Sequence, residues 1–198
     1  MKKFFTIFIL AIIALVSWIS IRDYLRYHPA KNSQPKYFLT VKGHVDPAIQ
    51  KSLKLTWVSD YYTTNPICNE YGDFGDWLEG ASAERHIHRL FDVKPNQAGK
   101  YSIQIPIDYY NPGFCGWAPG EVYFSFKYKE FDYSADADTA FGLDKNGRVN
   151  HQTLKQKWHC GDTKCTISTN SDFDLSYNLS SLSNHSLVVN FSKISKDK

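Results

Sequence analysis

The chain reads as mainly β: a disulfide-braced β-sandwich carried behind an N-terminal transmembrane helix, with at most one short helix of its own. Three observations predict this. Residues 4–21, FFTIFILAIIALVSWISI, carry no charge. Beyond them, apolar and polar residues alternate with period two in short runs bounded by turn-forming residues, the pattern of half-buried strands. All four cysteines lie in that second part, as suits an oxidising compartment.

The apolar run comes first in the chain, behind Lys2 and Lys3. Its 18 residues span about 27 Å as a helix, against about 30 Å for a bilayer core. A cleavable signal would place small residues near its end, where Trp18 and Ile19 stand instead. The first cysteine is Cys68, so no lipobox follows. Residues 1–21 are therefore expected to form an uncleaved signal-anchor, a cleaved signal being the alternative. Lys2, Lys3 and the amino terminus favour the N-end inside, whereas Arg22 and Arg26 oppose them. The cysteines decide the orientation: a short cytoplasmic tip, one helix, and the bulk of the chain in the periplasm. The Lys-, Asn-, Tyr- and Phe-rich style reads as bacterial, so that helix is expected in an inner membrane.

Residues 22–37, RDYLRYHPAKNSQPKY, are polar, hold two prolines and read as a stalk. A domain over 38–194 follows. Beyond the anchor, 21 basic residues face 20 acidic ones, which leaves no basic field to draw nucleic acid. A 42% hydrophobic share with 16% aromatics excludes a disordered chain.

Strands are expected in order. FLTVKGHV (38–45) alternates Leu39, Val41 and Gly43 with polar residues, and LKLTWVS (53–59) alternates Leu53, Leu55 and Trp57. GKYSIQIPID (99–108) sets Tyr101, Ile103, Ile105 and Ile107 against Ser102 and Gln104. Pro106 marks an edge or a strand exit there, because proline cannot donate to a ladder. EVYFSFKYKEF (121–131) sets Val122, Phe124, Phe126 and Tyr128 against Tyr123, Ser125, Lys127 and Lys129. Asn146-Gly147 is a hairpin-turn signal, and KCTISTN and HSLVVNFSKI supply two more strands. The exception is DWLEGASAERHIHRLF (76–91). Ala83, Ile87, Leu90 and Phe91 share a helical face, so a short helix is expected from near Ser82. Seven or eight strands with turn-rich joints make a β-sandwich, immunoglobulin-like in type.

VKGHV (41–45) and GKYSIQIP (99–106) resemble the V-x-G-x-V and G-x-Y-x-[IL]-x-[IL]-P strands of the transthyretin-like, carboxypeptidase-regulatory β-sandwiches. The gap from Gly43 to Gly99 is longer than that family's usual spacing. The resemblance implies an extracytoplasmic sandwich and leaves the chemistry open, since such folds host many functions.

Of the three pairings that four cysteines allow, Cys68–Cys115 with Cys160–Cys165 is favoured. Cys160 and Cys165 bracket the turn-like GDTK, and Cys68 and Cys115 each follow an Asn-Pro turn. A zinc site built from all four cysteines would show two C-x-x-C-like knuckles, and a nucleophilic cysteine would need a histidine partner. Trp117 is expected to pack beside the longer bridge. No cofactor is implied. His86 and His88 in ERHIHR are the weak metal candidates: they would share a face on a strand and point apart on a helix. H-E-x-x-H is absent.

Two acidic clusters remain. EYGDFGDWLE (70–79) interleaves carboxylates with aromatics, and EFDYSADAD (130–138) carries Glu130, Asp132, Asp136 and Asp138. Neither fits an EF-hand loop. The first has what a protein-binding loop needs. Tyr71, Phe74 and Trp77 offer rigid contact area, and Asp73, Asp76 and Glu79 offer charge selectivity. G-x-S-x-G, P-loop and dinucleotide fingerprints are absent, and the one S-x-x-K (Ser33 to Lys36) lies in the expected stalk. Asn178, Asn184 and Asn190 open N-x-S sequons. The reading is a non-enzymatic, membrane-anchored periplasmic binding protein, most concretely an immunity-type protein that neutralises a periplasm-acting toxin. An accessory subunit of an envelope complex is the alternative. A second alternative is a cell-wall glycan hydrolase using the carboxylates between Glu70 and Glu79, whose separation would decide its chemistry.

Overall fold

The computed structural model describes residues 2–70, 82–134, 141–143, 148–162, 164–173, 177–178 and 186–194. The chain divides into two compact units. One gathers Met1–Asn32, Tyr62–His86 and Tyr110–Ala118; the other holds Ser33–Tyr61, Ile87–Tyr109 and Pro119–Lys198.

The first unit begins with α1 (Lys2–Tyr27). Phe4–Tyr27 is long and apolar enough to cross a membrane, with a mean hydropathy of 2.6 over its best window and none of that window buried. Phe4, Phe8, Leu10, Ile13 and Val16 are all exposed. A helix apolar on every side suits lipid rather than a soluble surface. Arg26 lies in its last turn, where a cation complements the helix dipole.

The strands are β1 (Phe38–Val45), β2 (Leu53–Thr63), β3 (His86–Val93), β4 (Lys100–Pro106), β5 (Trp117–Tyr128), β6 (Phe131–Ser134), β7 (Phe141–Leu143), β8 (Arg148–Cys160), β9 (Cys165–Phe173), β10 (Tyr177–Asn178) and β11 (Ser186–Lys193). They pair in the order β3-β2-β5-β7-β8-β11-β1-β4, with β6 beside β5 and β9 and β10 beside β8. Eleven strands among the described residues exceed the seven or eight expected from sequence, the additions being β3, β6 and β10.

Two sheets share β8. Its first residues, 148–151, pair with β7 and β10, and its remainder pairs with β9 and β11. One long strand thus turns the corner of a disulfide-braced sandwich. β11 runs parallel to both β1 and β8, although most of the ladder is antiparallel. Cys160 pairs with Cys165 at the end of the β8–β9 ladder and is disulfide-bonded to it.

The core of the second unit follows from the alternation. Leu39 and Val41 of β1, Leu55 and Trp57 of β2, Tyr101 and Ile105 of β4, and Val122, Phe124, Phe126 and Tyr128 of β5 are buried. Phe126 packs edge-on against Trp158 at 4.7 Å and Phe191 at 4.9 Å, and stacks on Tyr133 at 4.6 Å. Such ring pairs each add about 0.5–1.5 kcal/mol beyond the area they bury. Trp158 keeps its indole N–H satisfied inside the core by donating to the Gln156 side chain at 3.0 Å.

One expectation is corrected. The helix expected from near Ser82 is absent, because His86–Val93 is a strand on β2. Ile87, Phe91 and Val93 turn inward with period two, while Leu90 is 63% exposed. That exposed leucine had completed the apparent helical face. Ladder bonds to β2 outweigh a weak local propensity. The stretch 22–37, expected as a stalk, is tied down at several backbone groups. α1 continues to Tyr27, and Lys31 forms an isolated bridge with Tyr110. Asn111 donates its backbone N–H to the Ala30 carbonyl at 2.8 Å. Further on, the Asp108 carboxylate accepts from the backbone N–H groups of Lys36 and Tyr37. These bonds satisfy backbone groups that a solvated linker would leave to water.

Candidate functional site

Tyr71, Asp73, Phe74, Asp76, Trp77 and Glu79 lie outside the described residues. The stem that carries them is described, and it belongs wholly to the first unit. Glu70 and Ala83 form an antiparallel bridge with two reciprocal backbone bonds, at 2.8 and 2.9 Å. The two ends of the aromatic-acidic segment are thereby held side by side. Below the bridge, the Thr63 N–H donates to the Arg85 carbonyl, and the Arg85 N–H donates to the Thr63 hydroxyl, each at 3.0 Å. The same hydroxyl donates to Asn69 Oδ1 at 3.2 Å, and Asn69 Nδ2 reaches the Ser82 hydroxyl at 3.3 Å.

Charge closes the stem. The Glu70 carboxylate pairs with the Arg85 guanidinium and lies 3.6 Å from that of Arg26. Arg85 also stacks over the Tyr27 ring at 4.3 Å. Two guanidiniums against one carboxylate leave a surplus positive charge. The Nε atoms of both arginines are buried and find no acceptor among the described residues. In sequence, the stretch that the stem's two ends bound is rich in Asp and Glu.

A disulfide braces the other side. Cys68 and Cys115 are joined, their Cα atoms 5.5 Å apart, and both are buried. Asn65 caps the turn at Pro66–Cys68, its side chain accepting from the Ile67 N–H at 3.1 Å and donating to the Phe114 carbonyl at 2.8 Å. Gly116 sits at φ +63°, where a Cβ would fall 2.2 Å from the Thr64 hydroxyl, so glycine is required there. Trp117 is buried beside the bridge in sequence, and its ring lies 6.4 Å from that of Tyr110.

The weak metal candidates are engaged otherwise. The His86 ring stacks on Tyr62 at 6.0 Å. His88 Nε2 lies 3.2 Å from Oδ1 of the buried Asp60, and its ring meets Tyr123 edge-on. Among the described residues, no group of three or more His, Cys, Asp or Glu could hold a metal ion. In the second acidic cluster, Asp132 lies 3.7 Å from Lys127 on the surface and Glu130 is exposed, while Asp136 and Asp138 lie outside the described residues.

One surface escaped the sequence reading. On the outer face of β4-β1-β11, Lys42, His44, Lys100, Ser102, Asn96 and Asn190 line a shallow groove of 530 Å³. The register sets His44 between Lys100 and Asn190, and Asn190 Oδ1 accepts from the His44 N–H. The signal was the lysines outward of VKGH and GKYS, but only parallel pairing with β11 assembles the face. On an edge strand, lysines also guard against edge-to-edge pairing.

The two strands that carry the transthyretin-like resemblance are neighbours, with Gly43 opposite Tyr101. No family model, no curated protein and no solved structure matches the chain.

Proposed function

We propose that this chain is a non-enzymatic binding protein, anchored by α1 in a bacterial inner membrane and facing the periplasm. Its most concrete form is an immunity-type protein that neutralises a toxin acting in that compartment. The observation that carries the reading is the stem. A bridge at Glu70 and Ala83, an arginine clamp and a buried disulfide all converge on the ends of one aromatic-acidic segment. Rigid support beneath contact residues lowers the entropy lost on association. The disulfides suit an oxidising compartment, and a helix able to span a membrane suits a single-pass anchor. Glu70, one carboxylate of the hydrolase alternative, is already committed to arginines.

The test is capture with full-length, membrane-extracted protein followed by mass spectrometry and reconstitution from purified partners. A single secreted protein recovered in equal amount, and lost when Tyr71, Phe74 and Trp77 are replaced by Ala, supports the reading. Several integral membrane proteins, retained by that triple variant, would transfer the assignment to an accessory subunit docking through its helix.

A further inference from the structure

We propose that the Cys68–Cys115 turns form a lipid-inserted foot, with Phe114 and Ile67 entering the outer edge of the bilayer's hydrocarbon layer beside α1. The inference rests on the reading that α1 crosses the membrane, and concerns residues other than those of the aromatic-acidic segment.

The argument starts from depth along the helix. Lys3 and Arg22 bracket the uncharged residues 4–21, and their length of about 27 Å is barely that of a hydrocarbon core. The register cannot slide by a turn without drawing Lys3 into the core or leaving the span near 21 Å, about two-thirds of what is needed. Trp18, three residues before Ile21, therefore lies about 4.5 Å inside the hydrocarbon boundary. The Phe114 ring meets the Trp18 ring edge-on, centroid to centroid at 5.6 Å. With the two rings in contact, Phe114 lies within 5.6 Å of that depth, at the outer edge of the hydrocarbon. The turn at Pro66–Cys68 also packs against α1.

The surface at that depth has the right chemistry. Phe114 is 40% exposed and Ile67 50% exposed. Each directly precedes one cysteine of the bridge, so the disulfide presents them as a pair. Asn65 fixes both, binding the Phe114 carbonyl and the Ile67 N–H. Those two backbone groups at the tip are thereby satisfied internally, as irregular structure near hydrocarbon requires. Beyond the boundary, Arg22 neutralises Asp23 at 2.8 Å, and Arg26 stands about 7.5 Å above Ile21 along the helix, at headgroup depth.

The experiment places the photoreactive benzoyl-phenylalanine at Phe114, at Ile67 and, as a reference inside the span, at Phe8. The full-length protein is reconstituted into vesicles of phosphatidylethanolamine and phosphatidylglycerol, irradiated, and its lipid adducts are measured by mass. Non-reducing electrophoresis confirms that both bridges remain in each variant. The expected result is adduct at Phe114 and Ile67 within a few-fold of the yield at Phe8. Adduct at Phe8 with none at Phe114 or Ile67 overturns the lipid-inserted foot and leaves the spanning helix standing. No adduct at Phe8 removes the spanning reading and the foot with it.

Discussion

The Tyr101 phenol crosses β1 above Gly43 and donates to the Val189 carbonyl at 2.8 Å, tying β4 to β11 over the strand between them. A Cβ on Gly43 would fall 1.8 Å from that carbonyl and 2.7 Å from the Tyr101 hydroxyl. Glycine at this position is what lets the phenol pass.

Gly43→Ala is accordingly expected to lower stability by about 3 kcal/mol or more, the upper range for overpacking. Tyr101→Phe leaves the Val189 carbonyl without its buried donor and should cost about 1–3 kcal/mol. Burial pushes the Tyr101 hydroxyl well above its ordinary range. A pKa raised on folding contributes stability that is complete below the unfolded value and is lost as pH rises through the folded one. The gap between wild type and Tyr101→Phe, read by urea unfolding, should therefore narrow above pH 10, the unperturbed tyrosine value. A gap constant to high alkalinity would refute the buried-phenol account.

Asp46 gives the opposite sign. The Ala48 N–H beside it, at 2.9 Å, is the main reason its carboxyl is held below the usual range, helped by the Lys193 N–H. A depressed pKa contributes stability present above the unfolded value of 3.8 and lost as pH falls through the folded one. The thermal midpoint of Asp46→Ala should lie below that of wild type at neutral pH and converge with it in acid. Parallel midpoints across that window would remove Asp46 from the acid response.

The two bridges close very different loops. Sequence separations of 47 and 5 correspond to about 4 and about 2 kcal/mol in the loop-entropy account. Replacing Cys68 and Cys115 by Ser should therefore cost about twice as much in urea unfolding as replacing Cys160 and Cys165. Equal costs would show that the β8–β9 ladder depends on its bridge as strongly as the stem does on its own.

Legibility in the sequence followed the range of the interactions. β1, β4 and β5 were readable because each buries one face, so period two is written into Leu39-Val41-Gly43, Tyr101-Ile103-Ile105 and Val122-Phe124-Phe126. The anchor was readable because lipid imposes apolarity on every side of a helix. β3 was not, since exposed Leu90 broke the alternation and only β2 supplies its ladder. The stem was invisible for another reason: Arg26, Glu70 and Arg85 come from three distant stretches, and nothing local marks them as partners. The basic groove likewise needs residues near positions 42, 100 and 190 at once.

The stem makes the last prediction. Glu70 holds two guanidiniums, and its backbone exchanges both bonds with Ala83. Glu70→Gln removes the charge that draws Arg26 and Arg85 together but keeps the size of the side chain. Amide exchange at Ala83 and at position 70 should then speed up, while the core amides of β1 and β11 stay as slow as in wild type. Arg85→Met should do the same. The double variant should cost less than the sum of the two single ones, because the Glu70–Arg85 pair is lost in both. If the segment is the binding surface, a partner recovered by capture should bind each variant about tenfold more weakly, ~1.4 kcal/mol, with the loss chiefly in dissociation rate. Faster exchange with unchanged affinity would leave the stem a structural clamp and move the contact surface elsewhere on the chain.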